Sequence, residues 1–255
     1  SSLVTGVQTC ALPISRKSWA AGDASSKALK QVFISEVSDE KYPTAISAKD
    51  WGFNDVLMGN NPLTLERDLS SYVMDNVLYK VSFPAEFHAQ TAAEAALKLH
   101  KKIAEKLEQI DKIIIETQEP GMRIISKKGP LTNYADRDHC IEYIVAWCLL
   151  NGELDSDSYS DNAALDTRID AIREKTITKE NQEYTKIYYD LNKRAIPNKV
   201  IVKLNSGEEY EEEILYPLGH KKRRIEATPF LREKFAKSLD NIQDRKSTRL
   251  NSSHQ

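Results

Sequence analysis

Residues 89–117 read AQTAAEAALKLHKKIAEKLEQIDKIIIET, and two periodicities follow one another in that stretch. Ala92, Ala93, Ala96, Leu97, Ile103, Ala104 and Leu107 recur at three- and four-residue intervals with Lys and Glu between them, which predicts an amphipathic helix over Ala89 to Ile110. From Lys112 to Thr117 the pattern becomes three consecutive isoleucines between polar residues, which predicts a strand bounded by Glu119-Pro120-Gly121. A helix that hands over to a strand makes the middle of the chain α+β.

Further along, Asp136 to Leu150 predicts a second helix, stopped by Asn151-Gly152. The acidic segment Glu153 to Asp161 reads as a loop and Ala163 to Glu174 as a short helix. Lys199 to Leu204, the turn Asn205-Ser206-Gly207 and Glu208 to Tyr216 predict a hairpin ended by Pro217. Thr228 to Leu239 returns to a helical pattern. Upstream, Val77 to Phe83 is a strand or an extended link that stops at Pro84. Ser38 to Pro62, punctuated by Pro43, Gly52, Gly59 and Pro62, looks like a boundary between packing units, and Trp19 to Ile34 reads as a packed helix.

The two ends are of a different kind. Val4 to Ile14 (VTGVQTCALPI) and Asp244 to His254 (DRKSTRLNSSH) pair residue by residue as sense and antisense translations. Val as GTG reverses to CAC for His, Thr as ACT to AGT for Ser, and so inward through all 11 positions. Unrelated protein termini do not do this, so both ends read as translated sequencing adapter and stand outside the fold. The whole chain has 255 residues with 36 Lys+Arg against 38 Asp+Glu. Setting aside Asp244, Arg245, Lys246 and Arg249 turns those counts into 33 and 37, a net charge of −4 for residues 15–243. That acidic balance argues against a nucleic-acid partner. A mean hydropathy of −0.52, with no long uncharged apolar run, predicts no membrane-spanning helix. Cys10 falls in the adapter, which leaves Cys140 and Cys148, too few for a disulfide framework or a zinc ribbon. A cytoplasmic protein is the expectation, or one of the mitochondrial matrix if the source is eukaryotic.

Several clusters carry chemistry, each with a plainer reading beside it. The basic run Gly219 to Arg224, with His220, reads as a nucleic-acid patch or, more in keeping with the acidic chain, as a solvated face or an anion ligand. Asp155 to Asp161 starts like a calcium loop but has Ser160 and Asp166 where that pattern needs Gly and Glu. His139 and Tyr143, one helical turn apart, suit acid/base chemistry or a buried polar pair. Glu86 and His88 open the long helix, where they serve either as caps or beside an anion. Lys80 and the Lys127-Lys128-Gly129-Pro130 loop add positive charge suited to a carboxylate.

Taken together, Arg16 to Ala24, Trp51 to Phe53, Tyr72 to Leu78, Ser82 to His88, Lys127 to Pro130, Ala135 to Cys140 and Tyr216 to Arg224 resemble the MmgE/PrpD family, in order and through nearly all of residues 15–243. Within it they are most similar to the branch that dehydrates 2-methylcitrate to 2-methyl-cis-aconitate in propionate breakdown. The resemblance implies an α+β lid domain flanked by pieces of an all-α domain. Residues 15–50 would be the end of the helical domain, 51–218 the lid and 219–243 the return, with 1–14 and 244–255 non-native. It implies the C-terminal half of a homodimeric hydro-lyase, inactive by itself, acting on a small tricarboxylate without a cofactor. Two cysteines agree with this, since a cluster needs three or four thiolates.

Carried over by position, Lys17 falls on an active-site lysine of related members, and Lys80 lies near another. With His88 and His139 these are the expected catalytic residues; Glu86, Arg123, Lys127, Tyr143 and His220 are the expected substrate ligands. Glu86 stands where the decarboxylase branch has a histidine, which favours the dehydratase branch. Another hydroxy-acid dehydratase, epimerase or cis-aconitate decarboxylase of the family is the alternative within it, and a non-catalytic binding module the alternative outside it.

Overall fold

The computed structural model describes residues 20–38, 43–65, 68, 70 and 75–251. They fall in two units, residues 1–71 and 72–255. The first contains α1 (Ala20–Val37) and the one-turn α2 (Phe53–Leu57). The expected helix is present, but α1 buries no residue, and Leu29, Val32, Phe33 and Val37 are all at least half exposed. The expectation of a packed helix is corrected here: among the described residues nothing covers α1 well enough to bury any of its side chains.

In the second unit, a 3-10 turn at Phe87–Ala89 leads into α3 (Gln90–Ile103). The helix expected as far as Ile110 tightens into 3-10 geometry over Ala104–Gln109 and passes directly into β1 (Ile110–Thr117). α4 (Glu119–Ile125) begins where only a boundary was expected. Pro120 stands in its first turn, where a missing N–H costs nothing and the fixed φ suits a helix. The helix expected over Asp136 to Leu150 is two, α5 (Tyr134–Asp138) and α6 (Ile141–Asn151), because Cys140 is extended. The break lets Arg137 donate from Nε to the Tyr159 carbonyl (2.7 Å) and pair with Asp161. α7 (Thr167–Glu174), β2 (Thr176–Glu180) and α8 (Gln182–Tyr189) follow. The hairpin β3 (Asn198–Leu204) and β4 (Glu209–Ile214) forms as expected. α9 (Arg224–Asn251) starts earlier and runs further than the pattern indicates.

The sheet has the order β2-β1-β3-β4, parallel between β1 and β2 and antiparallel elsewhere. Alternation along the strands sorts its two faces. Ile113 and Ile115 on β1, with Val200 and Val202 opposite them on β3, are buried beneath α3, in one core with the apolar residues of α6. The other face carries ion pairs: Lys179–Glu116 (2.9 Å), Lys199–Glu211 (2.6 Å) and Lys203–Glu209 (2.6 Å). α6 is apolar around nearly its whole circumference, as a helix enclosed between α3 and α7 must be. It ends at Gly152, whose φ of +70° suits glycine, and a Cβ there would lie 2.6 Å from the His100 ring. Among the described residues no helix is long and apolar enough to cross a membrane.

Candidate active site

The segment 77–85 runs extended, without forming the alternative strand, and is fixed from both sides. Tyr79 N–H donates to the Gly219 carbonyl (3.2 Å) in an approach so close that a Cβ on Gly219 would fall 1.7 Å from the Tyr79 oxygen. The Gln90 side-chain amide donates to the Phe83 and Ala85 carbonyls at 2.9 and 2.7 Å. Lys80 consequently sits with Nζ 5.1 Å from the centre of the Phe87 ring, and its carbonyl accepts from Lys234 (2.7 Å).

The turn after Pro84 brings Glu86 and His88 together. Glu86 caps it, Oε2 accepting the His88 backbone N–H at 2.7 Å. Both carboxylate oxygens also meet His88 Nδ1, at 2.9 and 3.0 Å. Glu86 thus caps the turn and pairs with the His88 ring at once. His88 Nε2 lies 3.2 Å from the Tyr188 hydroxyl on α8. Asn198, at the start of β3, donates to the His88 carbonyl (2.7 Å) and to Thr91 Oγ1 (2.7 Å), which ties the turn to the sheet. Burial pushes the Glu86 carboxyl up, but the His88 hydrogen bonds and charge, with the charge of His139, outweigh it and hold the carboxyl below its usual range. His139 lies at the break between α5 and α6, where its Nδ1 is paired with Asp138. Burial, with the neighbouring Tyr189 and Glu86, raises the Tyr188 phenol.

Arg123 adjoins this group through Glu119: its Nε is 2.8 Å from Glu119 Oε1, and Tyr189 donates to Glu119 Oε2 at 3.2 Å. Beneath the turn, two buried polar atoms, Gln118 Nε2 and Asn198 Oδ1, have no hydrogen-bond partner among the described residues. Among those residues, too, no group of three or more His, Cys, Asp or Glu side chains is arranged to hold a metal ion.

The remaining expected residues lie elsewhere. Lys127 lines a separate cleft of about 360 Å³ with Lys128, Gly129, Glu142, Asp170 and Arg173, its Nζ 3.7 Å from Asp136. Tyr143 is a correction: it is buried, stacked near Tyr159 and Trp147, and its hydroxyl donates to the Ser158 carbonyl (2.8 Å), so it is spent inside the core and pairs with neither His139 nor an outside carboxylate. His220 is another. Only 3% exposed, it accepts the Lys222 N–H at Nδ1 (3.1 Å) as a helix cap, and burial together with Lys222, Lys221 and Arg224 lowers it to about 4, so near neutral pH it is uncharged and is no cationic ligand. Lys17 and the segment Val4 to Ile14 lie outside the described residues.

The sequence reading missed Tyr188, Glu119, Asn198 and Glu142. Tyr188 is 100 residues from His88 along the chain, and only the packing of α8 on α4 joins them.

Residues 83–253 match the family model of the MmgE/PrpD C-terminal domain. The chain belongs to the MmgE/PrpD family. Similar proteins include the mitochondrial 2-methylcitrate dehydratase of Yarrowia lipolytica, 50% identical over 230 residues, which are 89% of this chain and 44% of that protein. The 2-methylcitrate dehydratase of Salmonella typhimurium is 47% identical over 228 residues, 88% of this chain and 47% of that protein. A protein of Saccharomyces cerevisiae named as a probable 2-methylcitrate dehydratase is 46% identical over 232 residues, 88% of this chain and 45% of that one. This MmgE/PrpD chain thus spans a little under half the length of the relatives it matches. The Glu86–His88 turn lies inside the region that matches the family model.

Proposed function

We propose that this chain is the C-terminal part of a 2-methylcitrate dehydratase, a hydro-lyase that converts 2-methylcitrate to 2-methyl-cis-aconitate and water. The observation that carries the reading is the Glu86–His88 pair in a chain 46–50% identical to proteins of that name. Elimination needs a base for a proton next to a carboxylate, an acid for the departing hydroxyl, and cations for the carboxylates. An imidazole backed by a carboxylate supplies the first or the second. Lys80 and Arg123 supply charge of the right sign, together with Lys17 from the segment before α1.

In this reading residues 51–218 form the lid, 15–50 and 219–243 belong to a helical domain, and the adapter-like ends are foreign to both. The whole enzyme is a homodimer, cytoplasmic or in the mitochondrial matrix. The purified chain is expected to show no turnover of 2-methylcitrate by alkene absorbance, yet to bind citrate or 2-methylcitrate weakly by calorimetry, with binding lost in Lys80→Ala. Turnover at enzymic rates overturns the half-enzyme reading. No heat with any tricarboxylate overturns the retained half-site.

A further inference from the structure

His88 is gripped at both nitrogens. On one side Glu86 places both carboxylate oxygens within 3.0 Å of Nδ1 and is itself held by the His88 backbone N–H. On the other, the Tyr188 hydroxyl lies 3.2 Å from Nε2, with the two rings 5.7 Å apart and inclined by 32°. An ionised carboxylate can only accept, so Nδ1 carries a proton. In the neutral ring that leaves Nε2 as the acceptor and the phenol as its donor; in the imidazolium Nε2 donates and the phenol oxygen accepts. A hydroxyl serves in both states because its O–H can turn. The imidazole therefore keeps both hydrogen bonds, and one orientation, whichever protonation state it is in.

Tyr188 is placed firmly enough to do this. Its ring meets Tyr189 edge-on at 5.1 Å, and Tyr189 is anchored on Glu119. α8 is capped by Asn181, which accepts the Glu183 N–H at 3.0 Å, and is joined to α4 by the Glu119 N–H donating to Thr185 Oγ1 (2.9 Å). We propose that Tyr188 is a positioning residue: Glu86 fixes His88 in the tautomer protonated at Nδ1, and the Tyr188 hydroxyl holds the ring and its Nε2, the single proton-exchanging nitrogen, in one place in either protonation state. Its use in catalysis rests on the reading of Glu86 and His88 as the acid/base pair.

The test is long-range proton–nitrogen correlation on the 15N-labelled chain, with His88 assigned by its loss in His88→Gln. The expected wild-type spectrum has one His88 tautomer, with Nδ1 protonated and Nε2 not. Tyr188→Phe is expected to shift the Nε2 resonance toward that of an unbonded nitrogen, while Nδ1 stays protonated against Glu86 and the His100 and His220 signals stay in place. A wild-type chain with mixed tautomers, or with the proton on Nε2, overturns the proposal without recourse to any variant. So does a Tyr188→Phe chain whose His88 signals do not move. If the variant fails to fold, so that the His100 and His220 signals move as well, the wild-type tautomer decides. Calorimetry with 2-methylcitrate on the same samples keeps the two readings apart. A locked tautomer without binding sinks only the dehydratase reading, and binding with an unlocked tautomer sinks only this one.

Discussion

His220 shows how far a residue's surroundings can depart from those its sequence neighbours suggest. Flanked by Gly219 and four basic residues, it is nevertheless a buried neutral cap. Protonation would turn Nδ1 from acceptor to donor and remove the cap. Because the folded pKa is depressed, the unfolded chain binds a proton between the usual histidine value of 6.5 and about 4 that the folded chain refuses. The His220 contribution is fully present above pH 6.5 and is lost as pH falls through that window. Urea unfolding at pH 7, 6 and 5 should show a shallower loss of stability in His220→Asn than in wild type; parallel slopes would contradict the assignment. Tyr143 gives the complementary case. Tyr143→Phe should cost about 1 kcal/mol, one buried hydrogen bond, and leave citrate binding unchanged, whereas a substrate ligand would weaken it. Residue types suited to the chemistry are legible in the sequence at Glu86 and His88 because both belong to one short turn. Those whose role depends on distant packing are not: Tyr143 and His220 look available until the core closes over them, and Tyr188 looks like any surface aromatic.

At the scale of elements, α6 depends on one buried carboxylate. Glu142, only 1% exposed, accepts from Ser126 Oγ (2.7 Å), Thr178 Oγ1 (2.7 Å) and the Lys127 N–H (3.2 Å), and so ties the end of α4, β2 and the cleft loop to one helix. Glu142→Leu would strand two hydroxyls and an N–H, at a cost of about 3 kcal/mol, while Glu142→Gln keeps an acceptor and should cost about half of that. Chemical denaturation of both variants decides it, and equal effects would refute the acceptor argument. The strongest periodicities gave α3, β1 and the β3–β4 hairpin because each has its own pattern and its own stop signal. β2 and α8 escaped because TITKE is short and has a single apolar residue, and its strand character comes from pairing with β1. The break at Cys140 escaped because nothing local forbids a continuous helix there; the pull of Tyr159 and Asp161 on Arg137 is tertiary.

At the scale of the molecule, the apolar side of α1 is open to solvent within its unit, with Leu29 55%, Phe33 57% and Val37 87% exposed. Exposed apolar surface of this kind binds hydrophobic dyes and promotes self-association. Leu29→Lys with Phe33→Glu should lower dye fluorescence severalfold and leave the melting of the 72–255 unit unchanged; a matching fall in melting temperature would mean that α1 is packed after all. The sheet order has a consequence of its own for synthesis. β1 is flanked by β2 and β3, both made after it, and about 80 residues separate its end from the first residue of β3. At about 5–20 residues per second, β1 leaves the ribosome with both edges bare and waits roughly 4–16 s for the partner that covers its second edge. Its three consecutive isoleucines are the kind of run that recruits another nascent chain in that interval, and Asp111 and Lys112 interrupt the run at its start.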